Sequence, residues 1–347
     1  MIIGNWKCNG NREMMFSWTA DYERECDDND TFVGVAPPSI YVEQFCIENS
    51  YLNILGGVQD VDHLDGSRTG AISVDMLTDT DCGFSIIGHS ERRQIFNENN
   101  NLIKEKLKSL NNEIITILCI GETKEENDKG LTKDVLKDQL EIVNELSLDA
   151  EFTVAYEPVW AIGSGLTPEP KDINEIHKYI KDVVQSNSAN NLSPRVLYGG
   201  SVTDKNAESF FNEEFVDGAL VGGASLDGTT FAKIVNIFNK TQRSMIIFLT
   251  VINVILAIVI ITMVLLQQGK GSDLGSAFGG GSSNSMFGAL GPSGFLGKLT
   301  YILVASWLIL SLLLAYLLKN ENSEIIFETP LIEEAIEESL SDEIPIE

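Results

Sequence analysis

Two stretches of this chain contain no charged side chain at all: Met245–Leu266, 22 residues, and Leu299–Leu318, 20 residues. As a helix rising 1.5 Å per residue, either is long enough to cross a hydrocarbon layer of about 30 Å. A buried core helix is the competing reading of such a run, and two uncharged runs of this length favour membrane spans over it. Charge divides the chain at the same place. The 347 residues carry a formal net charge of −27. Residues 1–243 hold 21 basic against 40 acidic side chains, and residues 244–347 hold 3 against 11. So acidic a chain is a poor candidate for a binder of the nucleic-acid backbone, whose affinity rests on Lys and Arg. A small anionic substrate is not excluded, because a few local donors can hold one. The five cysteines (Cys8, Cys26, Cys46, Cys82, Cys119) are odd in number and contain no CxxC pair. They argue against a disulfide framework or a zinc site and fit a reducing compartment. The start, MIIGNWKCNG, has no basic segment followed by an apolar one, so no signal peptide is expected.

Over residues 1 to about 240, short β-rich apolar runs alternate with longer amphipathic ones. The expected strands are Ile2–Trp6, Thr31–Ala36, Asn53–Gly57, Phe84–Gly88, Ile114–Ile120, Phe152–Tyr156, Arg195–Tyr198 and Gly218–Val221. Helical patterns lie between them, among them Asn101–Leu110, Thr132–Leu146 and Lys171–Val184, the last started by Asp172 or by the prolines before it. Eight strands alternating with helices suit a closed β/α barrel. A doubly wound open sheet is the runner-up, but it usually carries GxGxxG after its first strand, and here that strand ends in Asn5-Trp6-Lys7.

In a β/α barrel, polar residues at strand C-termini converge on one rim. Lys7 and Asn5 end the first strand, His89 follows the fourth, and Glu157 ends the sixth. Singly, each has a bland reading as a solvated lysine, a structural histidine or a cap. Together they place a cation, an imidazole and a carboxylate on one rim. Glycine loops follow strands six, seven and eight: Gly163-Ser164-Gly165, Gly199-Gly200-Ser201 and Gly222-Gly223. Glycine lets backbone N–H groups approach a ligand closely. The last two loops are expected to open helices, whose N-termini favour phosphate.

Residues 1–240 resemble the triosephosphate isomerase family throughout. The resemblance rests on Gly4-Asn5-Trp6-Lys7, Gly88-His89-Ser90-Glu91-Arg92-Arg93, Cys119-Ile120-Gly121-Glu122, Tyr156–Gly163, Tyr198–Val202 and Gly218–Leu226, in family order and spacing. It implies a (β/α)8 TIM barrel that interconverts dihydroxyacetone phosphate and glyceraldehyde 3-phosphate, with no metal and no organic cofactor. By the same resemblance Glu157 is the base and His89 the neutral electrophile. Lys7 supplies positive charge, Asn5 helps place the substrate, and Glu91 is an acidic group beside the site. Backbone N–H groups of Gly163, Ser201, Gly222 and Gly223 would hold the phosphate. Pro158–Thr167 resembles the family's closing lid. The loop Gln59–Gly70 resembles its dimer-forming loop, with Thr69 reaching the partner's site, so a homodimer is expected. Three residues depart from the pattern. Leu166 stands where the lid's distal hinge usually has Lys, and Asp60 where Asn is usual. Ala71 stands where a Glu commonly pairs across the dimer with the arginine matching Arg92.

The second part also resembles a family. Leu265-Leu266-Gln267-Gln268-Gly269-Lys270-Gly271-Ser272-Asp273 and the Gly/Ser-rich stretch Gln267–Lys298 between two apolar runs are similar to the SecG subunit of the bacterial Sec translocon. That resemblance covers about 245–320 and implies SecY- and SecE-type channel partners in the cell membrane. A generic anchor for the enzyme is the plainer alternative. The expected organisation is therefore a barrel at 1–243, a membrane domain at 244–320 with spans near 245–266 and 299–318, and an acidic disordered tail at 321–347. Two rival readings stay open: a non-catalytic barrel scaffold on a translocon subunit, and two proteins joined by a merged reading frame at Met245. The barrel is expected in the cytoplasm, with both termini there. Lys240, Arg243 and Lys319 flank the terminal side, against Lys270 and Lys298 in the loop.

Overall fold

The computed structural model describes residues 1–27, 31–110, 114–162, 167–268 and 292–321. Its eight strands are β1 (Ile2–Asn5), β2 (Val33–Ala36), β3 (Ile54–Val58), β4 (Phe84–Ile87), β5 (Ile115–Ile120), β6 (Thr153–Tyr156), β7 (Arg195–Tyr198) and β8 (Ala219–Val221). Each pairs in parallel with the next, and β1 pairs with β8 at Ile2↔Ala219, which closes the barrel. The open sheet is thereby excluded. The α-helices are α1 (Arg12–Glu25), α2 (Val42–Asn49), α3 (Val74–Asp79), α4 (Ser90–Ile95), α5 (Asn100–Ser109), α6 (Lys124–Asp128), α7 (Thr132–Leu140), α8 (Pro170–Asn187), α9 (Ala207–Phe211), α10 (Gly228–Gln268) and α11 (Pro292–Glu321).

Local chemistry sets the helix ends. Asn11 caps α1 by accepting from the Met14 N–H, and Asn99 caps α5 by accepting from Leu102. Thr123 and Glu126 form a reciprocal capping box on α6. Of the two starts offered for α8, the proline is used: Pro170 occupies the first turn, where its missing N–H costs nothing. The Thr132–Leu146 pattern is shorter as a helix. It ends at Leu140, continues as a 3-10 turn over Glu141–Val143, and is broken by Glu145 at φ +64°. Two strands, β1 and β4, end a residue early because Trp6 and Gly88 already belong to the loops, Gly88 with φ +68°.

Alternation along the strands sorts their side chains. Ile3, Phe84, Ile86, Ile117, Cys119, Ala155, Leu197 and Leu220 fill the barrel interior. Their neighbours Ile2, Ile87, Leu118, Val154, Val196 and Val221 join the outer core. Phe84 plugs the interior because glycines make room for it. A Cβ on Gly57 would stand 2.3 Å from the Phe84 ring, and one on Gly34 2.6 Å.

The chain divides into compact units Met1–Ser244 and Met245–Glu347. In the second, Asn253, Leu256, Ala257, Ile260 and Met263 form a partly buried stripe on α10 at helical spacing, and α11 shows a matching one at Leu303, Val304, Trp307, Leu310, Ser311 and Leu314. Ser311 Oγ donates to Asn253 Oδ1 at 3.3 Å between the two helices. Both helices are long and apolar enough to cross a membrane, and almost none of either apolar stretch is buried inside protein. That exposure removes the core-helix reading. Both helices also outrun the apolar stretches. No Gly or Pro lies between Phe238 and Met245 to stop α10, and Pro292 starts α11 ahead of Leu299. Residues 269–291 of the Gly/Ser-rich loop and 322–347 of the acidic tail lie outside the described residues.

Gly57→Ala should cost about 1–3 kcal/mol by overpacking against Phe84. Adding Phe84→Leu should return part of it, so that the double variant is more stable than the two single losses predict. Urea unfolding of the full chain in detergent reads this, and strict additivity would contradict the packing described.

Candidate active site

Two residues beyond the interior row, the same alternation fills the barrel mouth. Beyond Ile3 stands Asn5, beyond Ala155 stands Glu157, and beyond Ile86, Cys119, Leu197 and Leu220 stand Gly88, Gly121, Gly199 and Gly222. Asn5 and Glu157 thus share the rim with four glycines, and the same step beyond Ala36 and Gly57 adds Pro38 and Gln59. The glycines also admit Glu157 itself. A Cβ on Gly121 would lie 1.7 Å from the Glu157 carbonyl oxygen, and one on Gly199 would lie 2.8 Å from its Cγ.

Glu157 and His89 meet in this mouth, both buried. His89 Nε2 lies 3.0 Å from Glu157 Oε1, and the Ser90 N–H donates to Glu157 Oε2 at 3.0 Å. His89 caps α4, its Nδ1 accepting from the Glu91 N–H at 3.2 Å. A ring nitrogen that accepts cannot carry a proton, so the neutral imidazole bears its proton on Nε2 and donates it to Glu157. Burial alone would raise the Glu157 pKa, but His89 and the Ser90 N–H outweigh it and hold the carboxyl below its ordinary 4.5. Burial alone would lower His89, but the Glu157 carboxylate outweighs it and the net shift is upward from 6.5. Each group is thus charged or poised by the other. When Glu157 turns to another partner, burial and the Lys7 cation favour the neutral ring against the smaller opposing pull of Glu91.

Lys7 sits in the left-handed region at φ +52°, rare for a side chain with a Cβ. Its N–H donates to Asn5 Oδ1 at 2.9 Å, and its carbonyl accepts from Gln59 Nε2 at 2.8 Å. Gln59 also donates to Ala36 O at 2.9 Å. Lys7 Nζ reaches Glu91 Oε1 at 2.6 Å. Asn5, Lys7, His89, Glu91 and Glu157 are therefore one connected group.

The glycine loops after β7 and β8 border it. A Cβ on Gly222 would approach Lys7 Cε at 3.9 Å, while one on Gly223 would meet nothing within 4 Å, so open space stands above this turn. The turn is anchored from below, since Trp6 Nε1 and Trp18 Nε1 both donate to the Ser225 carbonyl, at 3.0 and 2.8 Å. Ser201 Oγ donates to Ala161 O at 2.7 Å, tying the loop after β7 to the segment after β6. The expected helices are reduced. Gly223–Leu226 is one 3-10 turn, and α9 starts only at Ala207, behind a turn capped through Asn206. Gly163 and Leu166 lie outside the described residues. The near end of that segment is pinned by Glu122, fully buried, which accepts from Trp160 Nε1 at 2.9 Å and from Tyr156 OH.

Neither Gln59 nor Ser90 stands out in the sequence as a site residue. A polar residue directly after β3 was the available signal for Gln59, and its place in the first turn after His89 was the signal for Ser90. Arg92 has its carboxylates within the chain, Asp60 at 2.8 Å and Glu98 at 2.7 Å.

Residues 1–238 match the family model described as triosephosphate isomerase. The chain belongs to the triosephosphate isomerase family. A triosephosphate isomerase of Erwinia tasmaniensis is 41% identical over 242 residues, covering 68% of this chain and 95% of the relative. One from Baumannia cicadellinicola is 41% identical over 256 residues, covering 70% and 98%, and one from Legionella pneumophila 38% over 247, covering 69% and 98%. Residues 246–332 match the family model described as the preprotein translocase SecG subunit. An isomerase-family barrel and a SecG domain are thus joined in one chain.

The Glu157–His89 pair has a signed pH signature. Glu157, depressed, contributes stability that is present above 4.5 and lost as pH falls through its lower folded value. His89, raised, contributes stability that is present below 6.5 and lost as pH rises through its higher folded value. The stability difference between the full chain and Glu157→Gln should therefore peak between those two values. Denaturant unfolding across pH measures it, and a difference independent of pH would show the pair to be broken in solution.

Proposed function

We propose that the barrel interconverts dihydroxyacetone phosphate and D-glyceraldehyde 3-phosphate, as in glycolysis and gluconeogenesis. The observation that carries this is the buried Glu157–His89 pair, with a Nε2–H imidazole fixed by the Glu91 N–H, at a mouth that also holds Lys7. The reaction needs a carboxylate to move a proton between adjacent carbons and donors where the enediolate charge develops. Glu157 supplies the first, and His89 Nε2–H and Lys7 supply the second. Substrate entry exchanges partners: Glu157 leaves His89 and Ser90 for the carbon-bound proton, and Lys7 leaves Glu91 for the substrate oxygen. His89 then faces the carbonyl as a neutral donor, the role for which this enzyme family is the standard example. Asn5 orients Lys7. The phosphate rests on N–H groups of Ser201, Gly222, Gly223 and Gly163, and the Pro158–Thr167 lid covers it to exclude water. The active unit is a homodimer through the barrel, with Thr69, in the exposed 64–70 part of the 59–70 loop, reaching the other subunit.

Glu157→Asp, which withdraws the carboxylate by about a methylene, should lower kcat about 100-fold with a much smaller change in KM. Gly222→Val should instead raise KM by filling the open cradle. Steady-state kinetics of the full chain in detergent measures both, and a folded wild-type chain without turnover favours the scaffold reading.

For the second unit we propose a translocon subunit, supported by the SecG match and the two apolar helices. Fused to a cytoplasmic enzyme, the hairpin keeps both termini in the cytoplasm and its loop outside. Protease added outside intact inner-membrane vesicles of right-side-out orientation should spare a tag after Glu347 on a product shown to be full length. Cleavage of the tag would overturn this orientation, and two separate products would establish the merged-frame reading.

A further inference from the structure

Four charged side chains meet beside the site. Arg92 on α4 contacts Asp60 Oδ2 at 2.8 Å and Glu98 Oε1 at 2.7 Å. Lys106 on α5, 4% exposed, contacts Asp60 Oδ1 and Glu98 Oε1, both at 2.7 Å. Two cations and two carboxylates make a neutral cluster, which is the condition for tolerating burial. Glu98 already joins Arg92 to Lys106, so α4 and α5 are tied without Asp60. What Asp60 adds is the chain that carries it. The residue before it, Gln59, holds the carbonyls of Lys7 and Ala36. Arg92 in turn donates its backbone N–H to the His89 carbonyl at 2.8 Å. Asp60 is thus one residue from the clamp on Lys7, and its partner Arg92 is one helical turn from His89.

We infer that Asp60 is a positioning residue: by binding Arg92 and Lys106 it sets Gln59 against the left-handed Lys7 and holds Lys7 and His89 in one frame. Lys7 gains from such a hold because its backbone lies in a left-handed region that lysine rarely occupies. The kinetic consequence of this role rests on the isomerase reading of the site proposed above.

The test uses the full chain in detergent with three variants. Asp60→Ala should lower kcat about tenfold with a smaller change in KM. It should also speed amide hydrogen exchange at Lys7, whose N–H donates to Asn5, and at Glu91, whose N–H donates to His89. The unbalanced cations should lower Tm. Asp60→Ala with Lys106→Met restores charge balance and should recover Tm while leaving kcat low. Gln59→Met cuts the same connection one step later with no change of charge, and decides the matter if Asp60→Ala does not fold. It should speed exchange at Lys7 and lower kcat. Wild-type kcat and exchange in Asp60→Ala or in Gln59→Met would overturn the inference. So would recovery of kcat together with Tm in the double variant. A wild-type chain without triose phosphate turnover would defeat the proposed function instead, and exchange at Lys7 and Glu91 would still decide the role of Asp60.

Discussion

A closed parallel barrel gives each strand residue one of two directions, and the shape of the barrel mouth follows from that alternation. The inward row is apolar from Ile3 round to Leu220. Two residues later the row comes out of the core into the mouth, where the constraint changes from filling space to leaving it. Glycine at 88, 121, 199 and 222 leaves it. Glu157 occupies the room so provided, and its backbone passes so close to Gly121 that no side chain fits there. The mouth is therefore shaped by residues that are absent as much as by those that are present.

Within this space, charge is held by mutual engagement. Glu157 stays ionised although fully buried because His89 and the Ser90 N–H face it. Lys7 faces Glu91, and Arg92 and Lys106 face Asp60 and Glu98. A buried ion without a partner would shift its pKa or destabilise the fold. Two of these pairs differ from the third in what can replace a partner. Glu157 and Lys7 open on the mouth, where a ligand can take over, whereas the Asp60 cluster is closed on itself.

The fold was legible because eight apolar runs at even spacing admit few architectures, and closure was predictable from their number. The individual site residues were legible mainly through motifs such as Gly88–Arg93 and Tyr156–Gly163; strand alternation alone reaches Asn5 and Glu157 but not His89 or Lys7, which lie beyond their strands. What stayed hidden depends on partners far apart in the chain. Nothing local to Gln59 says that it holds the carbonyl of Lys7, 52 residues earlier. Nothing local to Asp60 says that it meets Lys106. The extent of α10 differs from the expected span for another reason. The change from amphipathic to uniformly apolar composition at Met245 reads as a boundary, but backbone hydrogen bonding continues wherever no Gly or Pro interrupts it.

The double anchorage of Ser225 by Trp6 and Trp18 joins residues more than 200 positions apart. The glycine turn after β8 therefore belongs to the first βα unit as much as to the last. During synthesis the chain reaches Ser225 only twenty residues before Met245, where the first membrane run begins. A fragment lacking the last strand keeps Asn5, Lys7, His89 and Glu157 and both indoles, and lacks the turn that those indoles hold. In this chain the last residue that the barrel's closing turn needs is followed almost at once by the first uncharged run.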